Sequence, residues 1–282
     1  MNLTNKLNTV EIVRKALRED IGRGDITTGV LVENNIIGTA VIKAKEEGVV
    51  AGLEVAKLTF KELDNSLEVK LLEEEGAKVS SNTYLAKIKG QVGSILTAER
   101  VVLNFLQRMS GIATKANYYQ QLVADYEVRV VDTRKTMPGL RMLDKYAVRV
   151  GGGFNHRFGL DDAVLIKDNH LKLVGSIQNA VKKARANLPH TVQVEVEVEE
   201  LAQVEEALKA GVDIIMLDNM ELPVIKIAVK MINGEAIVEV SGEITADNIA
   251  EVAASGVDII SVGELTHSVE ALDISLDLSE VD

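Results

Sequence analysis

The 282-residue sequence predicts an α/β protein in two parts, a small α+β layer domain followed by a closed or nearly closed β/α barrel. Three observations carry that expectation. From residue 128 onward, six short runs rich in Val and Ile recur: "VRVVD" (128–132), "AVLIK" (163–167), "VQVEVEV" (192–198), "VDIIMLD" (212–218), "AIVEVSG" (236–242) and "VDIISVG" (257–263). Such near-continuous apolar runs are what parallel strands buried on both faces look like. Helical patterns fill most of the gaps, and "ALKAGVDIIMLD" (207–218) is nearly repeated as "VAASGVDIISVG" (252–263). Before about residue 110 the rhythm differs. Short alternating pieces, "TAVIKAKEEG" (39–48), "LEVKLLEEEG" (67–76) and "TYLAKIKG" (83–90), each end in Gly, as strands running into turns do.

Six strand–helix units in series favour a barrel over a doubly wound sheet. No GxGxxG follows the first of these strands, which weakens a dinucleotide-binding reading without removing it. In the first part, residues 10–20 and "LEVAKLTFKELD" (53–64) have helical periodicity. Next, "SILTAERVVLNFLQRMSG" (94–111) places Ala98, Val102, Phe105 and Met109 on one buried stripe. Arg100, Asn104 and Arg108 fall four apart on another face. Spacing alone favours a solvated polar face for those three.

Composition excludes several chemistries. There is no cysteine, so thiolate nucleophiles, iron–sulfur clusters and Cys-type zinc sites are ruled out. The four histidines are scattered without HxxxH spacing. The amino terminus is polar and helical in pattern and has no apolar h-region, and no apolar run approaches the roughly 20 residues of a bilayer span. A soluble, cytoplasmic protein without a membrane partner is expected. The net charge of −12 argues against nucleic acid as the main partner. Within this acidic chain, residues 129–172 hold nine basic and five acidic residues, a local excess of +4 that suits a small polyanion.

In a β/α barrel the working face lies at the carboxyl ends of the strands. Read in order, those ends give Asp132 followed by Arg134 and Lys135, then Lys167, then Glu195 and Glu197, then Asp218-Asn219, then Ser241-Gly242, then Gly263. Alone, Arg134 and Lys135 are better read as surface loop charges. Lys167 at the end of an apolar strand is harder to dismiss, because its ammonium must find a partner. Glu195, Glu197 and Glu199 alternate onto one strand face, and inward carboxylates are costly unless paired with cations or metal. Independent surface charges need not all fall at strand ends. Clustered Arg and Lys hold planar carboxylates. Paired carboxylates can hold Mg²⁺ against a pyrophosphate, and glycine turns before helices suit phosphate. Together they suggest two substrates, a small polycarboxylate and a phosphorylated sugar diphosphate.

Beyond spacing, long stretches resemble the decarboxylating quinolinate phosphoribosyltransferases. They are "LREDIGRGDITT" (17–28), "ERVVLNFLQRMSGIAT" (99–114), the block 132–170 that begins "DTRKTMPGLR", "VEVEVEEL" (194–201), "IMLDNM" (215–220), "VSGEIT" (240–245) and "ISVGELTHS" (260–268). The resemblance implies a type II phosphoribosyltransferase fold, an N-terminal α/β sandwich plus an incomplete β/α barrel. The expected domains are residues 1–110, rejoined by 270–282, and the barrel over 111–269. It implies conversion of quinolinate and phosphoribosyl pyrophosphate into nicotinate mononucleotide, pyrophosphate and CO₂, with Mg²⁺ as cofactor. A related enzyme taking nicotinate or another base is the alternative. It further implies a homodimer with shared active sites, or a higher oligomer built from it. By resemblance, Thr133, Arg134, His156, Arg157 and Lys167 surround quinolinate, with Arg100 supplied by the neighbouring subunit. Lys135 falls between the two substrates. Glu197 and Asp218 lie near the ribose and reach Mg²⁺ through substrate and water. Lys135, Glu197 and Asp218 are the expected catalytic groups. Ser241, Gly242 and Gly263 resemble the 5′-phosphate turns.

Overall fold

The computed structural model describes residues 3–33 and 35–281, with side chains from residue 7 onward. Residues 1, 2, 34 and 282 of the expected first domain lie outside the described ones. The chain runs through α1 (Leu3–Ile21), α2 (Ile26–Leu31), β1 (Ile37–Ala44), β2 (Gly48–Val49), α3 (Leu53–Leu63), β3 (Glu68–Leu71), β4 (Lys78–Val79) and β5 (Tyr84–Gln91). A long helix α4 (Val92–Leu122) follows, then β6 (Arg129–Val131), α5 (Arg141–Val150), β7 (Val164–Ile166), α6 (Asp168–Val174) and α7 (Ile177–Asn187). The last third holds β8 (Val194–Val198), α8 (Leu201–Ala210), β9 (Ile214–Asp218), α9 (Leu222–Ile232), β10 (Ile237–Ser241), α10 (Ile249–Ala253), β11 (Ile259–Ser261), α11 (Glu264–His267) and β12 (Ile274–Val281).

Two compact units result. The first comprises residues 1–117, 136–152 and 266–282, and the second 118–135 and 153–265. Residues 136–152, which the sequence reading placed with the barrel, fall in the first unit. The reason is visible at Gly151, where a Cβ would stand 2.2 Å from the Ala113 carbonyl of α4. Only a residue without a side chain permits so close an approach.

In the first unit a four-stranded sheet runs β12-β1-β5-β3, with antiparallel pairing throughout. Its apolar face, including Ile42, Leu85 and Ile88, shares a core with Phe60 of α3 and with Ile95, Val102 and Leu106 of α4. The returning segment is tied to α4 by Leu272 N–H donating to the Gln107 carbonyl (3.0 Å) and the Gln107 amide donating to the Ile274 carbonyl (2.9 Å).

Arg108 departs from the solvated face that spacing favours. Its guanidinium makes two hydrogen bonds to Asp144, Nε to Oδ1 at 2.9 Å and Nη2 to Oδ2 at 2.8 Å. The Asp144 carboxylate is buried and also accepts the Met137 N–H at 3.0 Å. Removing one partner of a buried pair leaves the other charge uncompensated. Arg108→Leu is therefore expected to cost about 3–5 kcal/mol, measured by urea unfolding. A midpoint equal to the parent's would refute this account of the pair.

The second unit is a six-stranded parallel sheet in the order β6-β11-β10-β9-β8-β7. A bridge from Phe154 to Val131 extends it beyond β6. Strand order simply follows the chain from β7 to β11 before meeting β6, as a barrel requires and a doubly wound sheet does not. Among the described residues no ladder joins β7 to the Phe154 stub, so the barrel is incomplete. Val194, Val196, Val198, Ile215, Leu217, Val238, Val240 and Ile260 are buried on the outer, helix-covered face, alternating with the residues that point into the barrel. Helices α7, α8, α9 and α10 pack in succession along it.

Candidate active site

The carboxyl ends of the barrel strands enclose a cavity of roughly 570 Å³. From the segment after β6 come Thr133, Arg134 and Lys135, and from the segment after the Phe154 bridge come His156 and Arg157. Lys167 enters at the end of β7, Glu197 from β8 and Asp218 from β9. Ser241 and Gly242 close the rim after β10. Leu165, Met216, Glu243 and Ser261 also line it, which the strand-end reading had not named, as does Asn219, which it had placed beside Asp218. Gly263 lies two residues beyond Ser261 and is not part of this lining. Arg100 belongs to the first unit, exposed on α4.

Local folding explains these placements. Buried Asp132 accepts the His156 N–H at 3.0 Å and the Asn155 amide at 2.6 Å, tying the end of β6 to the segment that carries His156. The Thr133 hydroxyl accepts the Lys135 N–H at 3.0 Å, curling the loop so that Arg134 and Lys135 remain exposed at the mouth. Lys167 forms an ion pair and hydrogen bond with Glu197, the partner its apolar strand demands. Arg157 Nη1 donates to the Ala163 carbonyl at 3.0 Å. Burial lowers the Arg157 pKa, as does the charge of Arg134. Two guanidiniums that repel when the cavity is empty form a site ready for an anion.

Of the three alternating glutamates, only two enter the barrel region. Glu195 is buried, Glu197 half-buried, and Glu199 is exposed just past the end of β8. Beneath the cavity, Glu195 Oε2 and Glu239 Oε1 each lie 3.4 Å from His156 Nε2. Burial acts to lower the His156 pKa, but the two carboxylates overcome it and raise it. Burial and the Glu239 charge raise the Glu195 pKa, against the pull of His156. Glu239 escaped the sequence reading, although a carboxylate inside "IVEVS" is the same signal as Glu195 inside "VEVEV".

The late turn is built tightly. Gly242 has φ +92°, and a Cβ there would meet Asn219 Oδ1 at 2.1 Å and Asn219 N at 2.9 Å. Neighbouring Asn219 and Glu243 also have positive φ, at 53° and 48°. Gly242→Ala must shift the turn after β9 as well as that after β10. A stability loss of about 1–3 kcal/mol is expected together with weakened binding of phosphate-bearing substrate. Calorimetric Tm and substrate titration check both, and an unchanged pair would contradict the turn's tightness.

A partial β/α barrel whose carboxyl-end cavity opposes cations to carboxylates defines an enzyme for small polyanionic substrates. Comparison with known proteins narrows the class. The family model described as quinolinate phosphoribosyl transferase, N-terminal domain, matches residues 25–110, and that of the C-terminal domain matches residues 112–277. A relative from Synechocystis, named a probable nicotinate-nucleotide pyrophosphorylase [carboxylating], is 47% identical over 93% of this chain and 90% of its own. A Bacillus subtilis relative of the same name is 42% identical over 98% and 95%. The crystal structure of NadC from Streptococcus pyogenes superposes with a TM-score of 0.93 at 44% identity, covering 96% of both chains. The chain belongs to the quinolinate phosphoribosyltransferase family.

Proposed function

We propose that this chain transfers the phosphoribosyl group of phosphoribosyl pyrophosphate to quinolinate with loss of CO₂. The products are nicotinate mononucleotide and pyrophosphate, and the reaction brings quinolinate into NAD synthesis. The observation that carries this reading is one cavity lined both by cations, Arg134, Arg157 and Lys167, and by carboxylates, Glu197 and Asp218. Quinolinate bears two adjacent carboxylates, and a monocarboxylate would need fewer cations. His156 and Thr133 complete the base pocket, and Lys135 at the mouth lies between base and diphosphate. An arriving carboxylate competes with Glu197 for Lys167. As pyrophosphate leaves, positive charge grows at the ribose carbon, and Glu197 and Asp218 stabilise it. Ser241, Gly242 and Gly263 receive the 5′-phosphate. Once ribosylated, the ring nitrogen is a pyridinium that stabilises the carbanion left by CO₂.

The donor set fits Mg²⁺ held indirectly. Lys167 occupies a Glu197 oxygen, and the Asn219 amide donates to Asp218 Oδ2 at 2.8 Å. With one oxygen of each already engaged, the two carboxylates would meet the ion through water and the diphosphate. When bound, Mg²⁺ neutralises the leaving pyrophosphate.

A homodimer with shared sites is part of the proposal, and a higher assembly would be built from it. On the first unit, Asp25 caps α2 through the Thr28 N–H (2.9 Å) and accepts from Thr97 of α4 at 3.1 Å. That bond holds α2 near the Arg100 turn of α4. On α2, Ile26, Val30 and Leu31 are 81%, 77% and 76% exposed, an apolar surface suited to a second subunit. No described helix is long and apolar enough to cross a membrane. Absence of cysteine and the acidic net charge suit a cytoplasmic setting.

The test follows pyrophosphate and labelled CO₂ together, with Mg²⁺, phosphoribosyl pyrophosphate and either carboxyl-labelled quinolinate or nicotinate. Equal release of both products from quinolinate, with nicotinate inert, is expected. Turnover of nicotinate, or no pyrophosphate from either base, would overturn the substrate assignment.

A further inference from the structure

Below the cavity, three titratable groups meet where solvent barely reaches. Glu195 and Glu239 side chains are 3% and 2% exposed, and His156 13%. Glu195 Oε1 and Glu239 Oε1 make no hydrogen bond among the described residues, so the 3.4 Å approach of Glu239 Oε1 to His156 Nε2 is an electrostatic contact. β8 and β10 flank β9, so the two carboxylates reach the imidazole from alternate strands. On the other side of the ring, His156 Nδ1 accepts the Arg157 main-chain N–H at 2.7 Å. An amide hydrogen aimed at Nδ1 requires a lone pair there, so the ring proton belongs on Nε2, between the carboxylates.

That assignment excludes two other readings. A divalent cation bound at Nε2 would leave the ring proton on Nδ1, against the Arg157 N–H. The two carboxylates favour an imidazolium, but its Nδ1–H would be set against the Arg157 N–H, whose nitrogen lies 2.7 Å from Nδ1, and that contact selects the singly protonated ring. The Nε2–H, its nitrogen 3.4 Å from one oxygen of each carboxylate, is therefore the proton that faces both.

We propose that Glu195 and Glu239 are positioning residues for the dicarboxylate substrate: by holding His156 in its Nε2–H tautomer they keep Nδ1 free to anchor the Arg157 backbone, and so aim the Arg157 side chain into the cavity. The relay runs from a carboxylate that touches no substrate, through an imidazole, to a main-chain amide. It rests on the quinolinate reading only for the identity of the anion. Asp132, which holds the His156 N–H, supplies a second fixed point for the same short segment.

Glu239→Gln keeps the side chain's shape. Its amide NH₂ can donate to Nε2, which favours the opposite tautomer and turns Nδ1–H against the Arg157 N–H. Because a buried charge is replaced by a neutral group, Tm is expected to hold or rise. The expected kinetic result is a rise of about tenfold or more in quinolinate KM, with phosphoribosyl pyrophosphate KM within twofold and a smaller effect on kcat. Glu239→Asp, which keeps the carboxylate, should recover part of the loss. A purely structural role would instead lower Tm and weaken both substrates alike.

The deciding measurement needs no substrate. Protein labelled with ¹⁵N only at its four histidines is examined by NMR at pH 7.5, ligand-free. One histidine, identified by loss of its signals in His156→Gln, should show a protonated Nε2 and an unprotonated Nδ1. Glu239→Gln should reverse the pattern. A wild-type His156 that is doubly protonated, or protonated at Nδ1, overturns the proposal, as does a quinolinate KM unmoved in Glu239→Gln. If quinolinate is not a substrate at all, the function assignment fails while the tautomer result still decides the relay.

Discussion

Arg157→Ala should raise the quinolinate KM roughly 10- to 100-fold, the loss of one charge-assisted hydrogen bond at about 1.5–3 kcal/mol. Stability should barely change. Arg157 makes a hydrogen bond to the Ala163 carbonyl, but it stands near the like charge of Arg134 and is partly desolvated. Deleting it removes repulsion together with that bond, so Tm should stay within about 2 °C. The anchoring N–H to His156 survives, because alanine keeps its backbone amide. A variant with parental quinolinate affinity would remove Arg157 from the substrate's surroundings. A large fall in Tm would mean that its role is structural.

Mixing two inactive proteins should restore activity. Arg100 is exposed on the first unit, while Lys167 lines the cavity of the second. If each site takes Arg100 from the neighbouring subunit, a dimer of one Arg100→Ala and one Lys167→Ala chain contains one intact site and one doubly damaged site. Random reassociation makes half the dimers mixed, so about a quarter of parental activity should return, starting from near zero in either parent. Subunit exchange is confirmed with differently tagged chains. Exchange without recovery would place Arg100 in its own subunit's chemistry or in none.

The barrel was legible because its strands are buried on both faces. "VDIIMLD" and "VDIISVG" can only be strands of a covered parallel sheet, and β9 and β11 lie within them. Strand ends then identify rim residues by topology alone, and Thr133 to Lys135, Lys167, Glu197, Asp218 and Ser241-Gly242 do meet in one cavity. What spacing could not reveal depends on partners remote in sequence. Arg108 looked solvated because its buried partner Asp144 lies 36 residues away on α5. β12 begins "ISLDLS", an alternation that reads as a half-buried strand, but spacing gives no hint that its partner is β1, far back in the chain. Glu239 was hidden by a similar cause, since its meaning comes from His156 and Glu195 on other elements. The resemblance, rather than periodicity, supplied His156, Arg157 and Arg100.

The sheet order β12-β1-β5-β3 also constrains how a ribosome can deliver this protein. Ser279 and Thr39, hydrogen-bonded neighbours in that sheet, are 240 residues apart in the chain. At cellular elongation rates, β1 waits roughly 10–50 s for its outer partner to be made. During that interval an edge bearing Ala40 and Ile42 is open to strand pairing with other nascent chains. The first sheet to leave the ribosome is thus the last to be completed. Messages cut short before codon 274 should yield aggregates or chaperone-bound chains, even though they encode every residue lining the cavity.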